Sequence, residues 1–553
     1  MDRTETDSEA TPTEHSPLLR NGKDQEASQS IERVENGLDG DVTQGNEVPL
    51  ADEPSTSELC LVMSGVWFGC FLAALDSTVI ATLSAPISTS FNSLSLLSWL
   101  ASAYLIANAA LQPLSGRLTD ILSRRTGLVF SNVFFCAGNL ICGLATREWV
   151  MILGRVVAGM GGGGLTAIST IVASDLIPLR KRGVWQGFGN ICYGLGAGAG
   201  GVFGGWINDV WGWRLAFLIQ VPLTVVSGIL AWYFIDIPVK ETQKSAWKRI
   251  DVLGAVTLII SLVLLLVGTN SGGNSVPWTH PLVLSSFPLS AVFLGLFLYV
   301  ESMHAEEPII PVRLLLNRTV LSACLTNWFT TMSTFALLFY GPIYFQVQGL
   351  STTEAGVRLI PQAVGALGSV ATGLVMRWTG RYYFLSVAIL LIYVASLILV
   401  STFKLTTPTW EPFVAFFFSG VGYSGMLTIT LLALISAVDH KHQAVITSAS
   451  YAFRSTGSAI GITIASAVFQ NILKIELWGR FGDRDGAAEI IGRLRDSLDE
   501  IKTLPPSWKA GVMDVYMDAL RGVFLTILGL AVLGLLVSLA MREHKLHDNL
   551  ARK

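Results

Sequence analysis

Charged residues are scarce in this chain of 553 residues, where Asp, Glu, Lys and Arg together make up only 14% of the sequence. Hydrophobic residues make up 51%. A water-soluble protein of this length needs more charge to cover its surface, so the composition excludes an ordinary soluble globular fold. The apolar residues fall into long runs, each near the roughly 20 residues that a helix needs to cross a bilayer.

Residue patterns for catalysis, metal binding and nucleic-acid binding are also missing. The six cysteines lie in or beside apolar runs without metal-ligand spacing, which indicates buried free thiols. The seven histidines lie in the predicted loops and tails. The glycine-rich runs are not followed by the Gly-Lys-Ser or Gly-Lys-Thr of a phosphate loop, and no basic stripe occurs. We therefore predict no enzyme active site, no metal, no cofactor and no nucleic-acid partner.

About fourteen apolar segments are long enough to cross a bilayer core of roughly 30 Å. They lie near residues 60–83, 98–117, 126–145, 149–173, 184–206, 214–235, 252–270, 281–300, 319–343, 355–376, 383–402, 411–436, 443–471 and 520–541. The sequence therefore predicts an all-α polytopic membrane protein whose main environment is the lipid bilayer.

Basic residues alternate from loop to loop, and Lys and Arg concentrate on the cytosolic side of membrane proteins. The loops after the even-numbered segments are the basic ones, with Arg117, Arg124, Arg125, Arg180, Lys181, Arg182, Lys240, Lys244, Lys248, Arg249, Arg313, Arg318, Arg377 and Arg381. The opposite loops contain few basic residues, except for a long luminal loop of mixed charge predicted at 472–519, in which we expect short surface helices. The alternation requires an even number of segments and predicts that both termini are cytosolic.

A weak repeat links the second and tenth segments, because each ends in a glycine that precedes two basic residues. Gly116 precedes Arg124 and Arg125, and Gly373 precedes Arg377 and Arg381. If segments 7 and 8 are an insertion, the helices divide into groups of six, two and six, a repeated-half design common in transporters. The predicted parts are an acidic disordered tail at 1–58, a six-helix bundle at 59–236, a two-helix linker at 237–312, a second six-helix bundle at 313–541 and a cytosolic tail at 542–553.

Ionisable side chains are costly inside a bilayer, and Asp76 is the only carboxylate well inside an apolar segment. Arg155 is the only comparable base in the first six segments. At 1.5 Å per residue, Asp76 lies about 24 Å from the cytosolic end of segment 1 and Arg155 about 9 Å from the luminal end of segment 4, hence at similar depth. We predict that Asp76 carries the coupling proton and that Arg155 biases its protonation; a permanent structural ion pair is the alternative.

Glycines are dense in segments 4 and 5, where small residues let helices approach closely. Segment 4 contains Gly159 and Gly161 to Gly164, and segment 5 contains Gly194, Gly196, Gly198, Gly200, Gly201, Gly204 and Gly205. Close helix packing of this kind is the alternative explanation for the glycines, and it needs no role in transport.

Polar and aromatic residues within the apolar segments are candidates for lining a transport path. They are Trp99, Tyr104, Asn108, Gln112, Asn190, Tyr193, Asn327 and Tyr340. Tyr104, Asn108 and Gln112 are four residues apart and share one helical face. Helix packing or anchoring at the membrane surface is the alternative for each residue taken alone.

These motifs resemble the major facilitator superfamily, in particular its fourteen-helix drug:proton antiporter branch, over about residues 60–541. The stretch GRLTDILSRR at 116–125 is similar to the signature loop between helices 2 and 3. The resemblance implies a conformational charge relay of Gly116, Asp120, Arg124 and Arg125. Further similar stretches are LDSTVI at 75–80, GRVVAGMGGG at 154–163, WGWRLAFLIQVP at 211–222, YGPIYFQVQG at 340–349 and AGVRLIP at 355–361.

The sequence departs from the branch pattern at a few positions. Ile121 and Ser123 stand where Arg and Gly are usual in the signature loop, which implies a weaker relay. In the antiporter motif of helix 5, which covers Gly196, Gly200, Gly201, Gly204 and Gly205, Gly201 stands where the pattern has proline. This departure leaves strict drug antiport open.

Within the branch, the sequence most resembles fungal vacuolar basic amino acid transporters. In the acidic tail, Glu14, Leu18 and Leu19 fit an acidic dileucine pattern, which indicates a sorting adaptor as partner and delivery to the vacuole. The resemblance implies proton antiport of Lys, Arg and His from the cytosol into the vacuole. Asp76 is then also the candidate partner of the cationic substrate, and whether one residue serves both proton and substrate stays open. The alternatives are a plasma-membrane exporter of drugs or toxins and a nutrient sensor on a transporter scaffold.

Overall fold

The computed structural model describes residues 55–91, 96–235, 251–272, 276–303, 312–350, 352–439, 442–483, 486–496 and 504–544. Within these ranges the regular structure is helical, and the only β contact is an isolated bridge between Gly272 and Val276. The all-α prediction is therefore confirmed for the described residues. The sorting pattern of Glu14, Leu18 and Leu19 lies outside them.

The helices fall into an N-terminal, a middle and a C-terminal series. The first series is α1 Thr56–Phe91, α2 Leu96–Leu122, α3 Arg124–Leu144, α4 Glu148–Leu176, α5 Leu179–Trp211, α6 Trp213–Leu218 and α7 Gln220–Phe234. The second is α8 Val252–Ser271 and α9 Pro281–Met303. The third is α10 Val312–Leu315, α11 Arg318–Val347, α12 Thr352–Val357, α13 Ile360–Val364, α14 Leu367–Thr379, α15 Tyr383–Ser401, α16 Trp410–Ser436, α17 Gln443–Phe481, α18 Ala487–Asp496 and α19 Pro506–Ser538.

Eleven spans in the described residues are long and apolar enough to cross a membrane. The long helices α2, α5 and α11 are not among them, although they contain 27, 33 and 30 residues. These three helices contain all eight candidate path-lining residues, and their glycines and polar side chains lower the mean hydropathy. Length and apolarity therefore identify eleven spans in the described residues, fewer than the expected count of about fourteen.

Several helix boundaries differ from those expected. In the predicted loop at 472–519, α18 is a short helix of the expected kind, but α17 continues to Phe481 and α19 already begins at Pro506. The exposed faces of these helical extensions carry charged residues. Their mean hydropathy is therefore too low for a search for apolar segments to include them. The predicted segment 355–376 is three helices, with Pro361 inside α13 and Gly365 just after it. A Cβ on Gly365 would lie 2.6 Å from the Phe417 carbonyl oxygen, so this break allows a close approach to α16.

The helices pack as two groups. In the first group, α1 packs against α4, α5 and α7, and α4 packs against α2 and α3. In the second, α11 packs against α16, α17 and α19, and α15 packs against α16 and α19. The pair α8 and α9 packs mainly on itself, with further contacts from α8 to α2 and α17. The two groups meet where α2 faces α17 and where α5 faces α14.

The turn between α2 and α3 contains a strained residue at Ser123, the position where the resembling pattern has glycine. Its φ of 144° is the only positive value at a described non-glycine residue. Its hydroxyl accepts a hydrogen bond of 3.1 Å from the Thr126 amide and caps α3. An L side chain in this region of φ costs about 1–3 kcal/mol, while replacing a serine cap by glycine costs only a few tenths.

We expect Ser123→Gly to raise the apparent melting temperature of the detergent-purified protein, by a stabilisation of about 1 kcal/mol. Ser123→Ala is the matched control, because it removes the cap and keeps the strain. We expect this control to melt below the wild type. A Ser123→Gly variant that melts below the wild type would show that the hydroxyl contributes more than the strain costs.

Candidate functional site

The structure joins the two predicted intramembrane charges in an ion pair. Asp76 lies on α1 and Arg155 on α4, and the Asp76 Oδ2 atom is 2.7 Å from the Arg155 Nη1 atom. Both side chains are completely buried. The sequence predicted similar depths for Asp76 and Arg155, and in the structure the two side chains are in direct contact between α1 and α4.

Backbone and aromatic contacts hold Arg155 in place. Its Nε atom donates to the Leu100 carbonyl oxygen at 3.0 Å, and its guanidinium lies 4.5 Å from the centre of the Tyr104 ring. The Tyr104 hydroxyl in turn donates to the Ala73 carbonyl oxygen at 3.1 Å. A Cβ at Gly162 would lie 2.2 Å from that hydroxyl, so the glycine of α4 makes room for the ring. The ion pair is therefore fixed by α1, α2 and α4 together.

The second carboxylate oxygen of Asp76 has a different environment. Its Oδ1 atom has no hydrogen-bond partner among the described residues. The Gln220 side chain lies near the carboxylate, but its amide nitrogen donates to the Ala216 carbonyl oxygen at 3.0 Å. A buried carboxylate with one paired and one open oxygen is suited to accept a proton, and protonation would remove the charge that holds Arg155.

The predicted polar face of α2 connects the two groups of helices. Gln112 donates through Nε2 to the Thr166 hydroxyl on α4 at 3.3 Å. The Ser455 hydroxyl on α17 donates to Gln112 Oε1 at 2.6 Å and lies 3.3 Å from Asn108 Oδ1. Tyr104, Asn108 and Gln112 therefore form one buried row that leads from the Arg155 guanidinium to α17.

A narrow cavity, partly open to solvent, lies between the two groups of helices. The predicted residues Asn190 and Tyr193 line it from α5, and Tyr451 and Arg454 line it from α17. Asn190 also donates to the Ser369 hydroxyl at 2.7 Å and so reaches the second group. In this conformation the cavity has about 20 Å³ of space for the centres of water molecules, enough for about one of them, so it must widen to admit a solute.

Arg454 is the functional candidate that the sequence analysis missed. It lies in the predicted segment 443–471, where it is the only charged residue. An ionisable residue inside an apolar segment is the same signal that identified Asp76 and Arg155. The same search for ionisable residues, applied to the second group of helices, would have identified Arg454.

The remaining predicted path residues occupy other places. Asn327 donates to the Ser450 hydroxyl at 3.1 Å, which joins α11 to α17. Tyr340 lines a second cavity of about 150 Å³ and packs against Phe469 at a ring distance of 5.3 Å. Trp99 is half-buried near the start of α2 and lines neither cavity.

The residues of the predicted charge relay make contacts around the α2–α3 turn. Arg124 forms an ion pair of 2.7 Å with Asp175 at the end of α4, a partner that the sequence analysis did not identify. Arg125 donates from Nε to the Ile235 carbonyl oxygen at 2.6 Å. The side chain of Asp120 lies outside the part of the chain that the structure describes.

Two glycines bring the groups of helices into backbone contact, and both belong to the weak sequence repeat. A Cβ at Gly116 on α2 would lie 2.1 Å from the Ser448 hydroxyl and 2.6 Å from the Ala444 carbonyl oxygen on α17. A Cβ at Gly373 on α14 would lie 2.5 Å from the Gly183 carbonyl oxygen on α5. The repeat therefore corresponds to equivalent contacts at two crossings.

The helix 5 motif has mixed roles. A Cβ at Gly196 would lie 2.4 Å from the Phe71 carbonyl oxygen, and one at Gly200 would lie 2.5 Å from the Leu75 carbonyl oxygen, so both glycines permit close packing on α1. Gly204 is buried and Gly201 is half-buried. A Cβ at Gly205 would meet nothing within 4 Å. The structure thus requires glycine at the first two positions and leaves space at the last.

No group of three His, Cys, Asp or Glu side chains able to hold a metal ion occurs in the described ranges. The features of interest for transport are the Asp76–Arg155 pair and the cavity beside Arg454.

Three fungal proteins are similar to most of this chain. Multidrug resistance protein fnx1 of Schizosaccharomyces pombe is 37% identical, over 89% of this chain and 94% of that protein. Vacuolar membrane amino acid uptake transporter fnx2 of the same organism is 32% identical, over 85% and 82%. Vacuolar basic amino acid transporter 2 of Saccharomyces cerevisiae is 33% identical, over 83% and 99%.

A solved structure supports the same fold. The bacterial homologue of the human lysosomal transporter Spinster, in an inward-facing and unoccupied conformation, has a TM-score of 0.56 at 17% identity and covers 88% of this chain and 98% of that chain. The family described as Major Facilitator Superfamily matches residues 66–462. The chain therefore belongs to the major facilitator superfamily and is an integral membrane transporter, not an enzyme.

Proposed function

We propose that this protein is a proton antiporter that moves Lys, Arg and His from the cytosol into the vacuole. The observation that carries the proposal is the completely buried Asp76, with one oxygen paired to Arg155 and the other without a partner in the described residues. Fungal relatives named for vacuolar amino acid uptake support the substrate and the compartment. The dileucine pattern of the tail supports the vacuole as well.

In this proposal, α2, α5 and α11 cross the membrane together with the eleven apolar spans, which completes fourteen helices in groups of six, two and six. The basic loops support a cytosolic position for both termini. The self-contained packing of α8 and α9 supports their role as a linker between two bundles. Gly116 and Gly373 then lie toward the cytosolic ends of their helices, so this structure is the state with its cytosolic side closed.

The transport cycle follows from alternation between this state and one that opens to the cytosol. A proton from the acidic lumen binds the open oxygen of Asp76, and the loss of its charge loosens Arg155. The Gly116 and Gly373 crossings then separate, the proton leaves to the cytosol and the amino acid enters. The energetic link between proton and substrate is the row of α2 side chains between Arg155 and α17.

The cationic part of the substrate needs an attractive partner in the cavity. Asp76 is engaged by Arg155 and is not among the residues that line the cavity. Trp67 and Trp185 do line it, with ring centres 6.0 Å apart. Aromatic faces attract ammonium and guanidinium groups by about 0.5–2 kcal/mol, so these rings take the cationic side chain in our proposal.

A plasma-membrane multidrug or toxin:proton antiporter is the second candidate. The observation in its favour is the 37% identity to a relative named as a multidrug resistance protein. The same fold and the same buried carboxylate serve either substrate, so location and uptake must separate the two.

We expect isolated vacuoles that contain the protein to take up Lys, Arg and His when they are acidified, and to lose this uptake when a protonophore collapses the pH gradient. The measurement is radiolabelled uptake, with vacuoles from cells that lack the protein as the control. A tagged protein at the plasma membrane that confers drug resistance, without uptake by vacuoles, would instead favour the second candidate.

We expect Asp76→Asn in proteoliposomes to reduce uptake driven by a pH gradient by at least about tenfold, because the amide cannot accept the proton. Exchange of labelled for unlabelled amino acid at equal pH should continue, since it needs no proton. Asp518→Asn is the matched control, because Asp518 is exposed and pairs with Arg480 at 2.7 Å.

Retained gradient-driven accumulation in Asp76→Asn would identify the Asp76–Arg155 pair as purely structural. Loss of both activities is separated from misfolding by the elution profile of the purified variant, because removing one partner of a buried pair costs about 3–5 kcal/mol. A well-folded variant that loses exchange as well would also contradict a role restricted to the proton.

We expect Gly116→Ala and Gly373→Ala to open the cytosolic side, because each added methyl group would overlap the facing helix. Cys70 lines the cavity and serves as the reporter in a variant whose other cysteines are replaced by serine. Its alkylation by an impermeant maleimide from the cytosolic side should rise by about tenfold, for a strain of about 1–3 kcal/mol. Gly205→Ala is the control and should change nothing; equal rates in all three variants would contradict the mechanism.

A further inference from the structure

Arg454 lines the cavity between the two groups of helices. Its guanidinium lies 5.1 Å from the ring centre of Tyr193 on α5 and 5.6 Å from that of Tyr451 on α17. The Tyr451 hydroxyl is 2.6 Å from that of Thr170 on α4, so the aromatic support is anchored in the opposite bundle. Arg454, Tyr193, Tyr451 and Thr170 all line this cavity.

The charge of Arg454 is not neutralised by the part of the protein that the structure describes. The described ion pairs join Arg124 to Asp175, Arg155 to Asp76, and Arg480 to Glu476 and Asp518. None of the described hydrogen bonds involves the Arg454 side chain. A guanidinium has five N–H donors, and here stacking on two tyrosine rings satisfies none of them.

The cavity beside this guanidinium has one sign of charge. Among the described residues that line it, Arg454 is the only charged one, and Asp and Glu are absent. A cation without a carboxylate would therefore bind against the repulsion of the Arg454 charge. A solute that carries a carboxylate would instead fill the unused donors through a two-point hydrogen-bonded contact.

We propose that Arg454 binds the α-carboxylate of the transported amino acid. This inference rests on the proposed transport of amino acids and adds the group that recognises them. The tyrosine rings hold the guanidinium in position, and Trp67 and Trp185 are left for the cationic side chain. The site then selects amino acids over cationic drugs, because only the former neutralise Arg454.

The test is equilibrium binding of radiolabelled arginine to the full-length protein in lipid nanodiscs. The competitors are unlabelled arginine, arginine methyl ester and agmatine, which lacks the carboxylate. For the wild type we expect agmatine and the ester to bind about 10- to 100-fold more weakly than arginine. Arg454→Gln should weaken arginine binding by a similar factor and abolish the difference between arginine and agmatine.

Two further variants make the result specific. Arg454→Lys keeps the charge without the two-point contact and should recover part of the preference for arginine. Arg480→Gln removes an exposed arginine of the same helix and should bind as the wild type does. Each variant is first shown to elute as a single species, and the wild-type comparison of arginine with agmatine requires no variant at all.

The outcomes separate this inference from the proposed function. A wild type that binds arginine and agmatine equally, or an Arg454→Gln variant that keeps the preference, would overturn the role of Arg454 alone. A wild type that binds tetraphenylphosphonium but no amino acid would overturn both. Binding of neutral amino acids that is lost in Arg454→Gln would support the role of Arg454 and contradict selectivity for basic substrates.

Discussion

The buried ion pair between Asp76 and Arg155 is the interaction on which the first bundle is organised. Water does not hydrate either charge in this buried position, so each charge is stabilised by its partner. This stabilisation requires that both side chains keep a fixed geometry. The Leu100 carbonyl, the Tyr104 ring and the Asp76 carbonyl hold the arginine, while one oxygen of the carboxylate remains open. A pair that is nearly but not fully satisfied is suited to a switch, because one proton changes its energy greatly.

Glycine provides the second constraint, since the switch acts only if the helices approach closely. The glycines of α4 admit the Tyr104 ring on one side, and Gly161 permits contact with α3 on the other, where a Cβ would lie 2.4 Å from the Phe135 amide. The crossings at Gly116 and Gly373 bring the two groups of helices into contact in the same way. Interfaces with so little space favour separate closed and open states over continuous deformation.

The two bundles differ in their charge chemistry. In the first bundle, the arginine is completely buried and paired with a carboxylate on a neighbouring helix. In the second, Arg454 stacks on aromatic rings and faces the cavity between the bundles. This difference separates the group suited to the proton from the group suited to the substrate. In our proposal, the protein couples proton and substrate without placing both on a single residue.

The sequence by itself determined the membrane class, the helical segments, the candidate charges and the repeated glycine motif. These features depend on composition and on spacing along one helix, where length and polarity follow directly from residue order. Helix ends beyond the apolar core, as at α17 and α19, could not be obtained this way because their exposed faces are charged.

Only the tertiary structure decided which side chains meet. Arg124 with Asp175, Ser455 with Gln112, and Gly373 with Gly183 are far apart in the chain, and their contacts depend on how helices cross and rotate. The open position of Arg454 has the same origin, since a single helix does not show whether a carboxylate lies opposite. The chemistry of a side chain is known from the residue type, but which residue it contacts depends on how the helices pack.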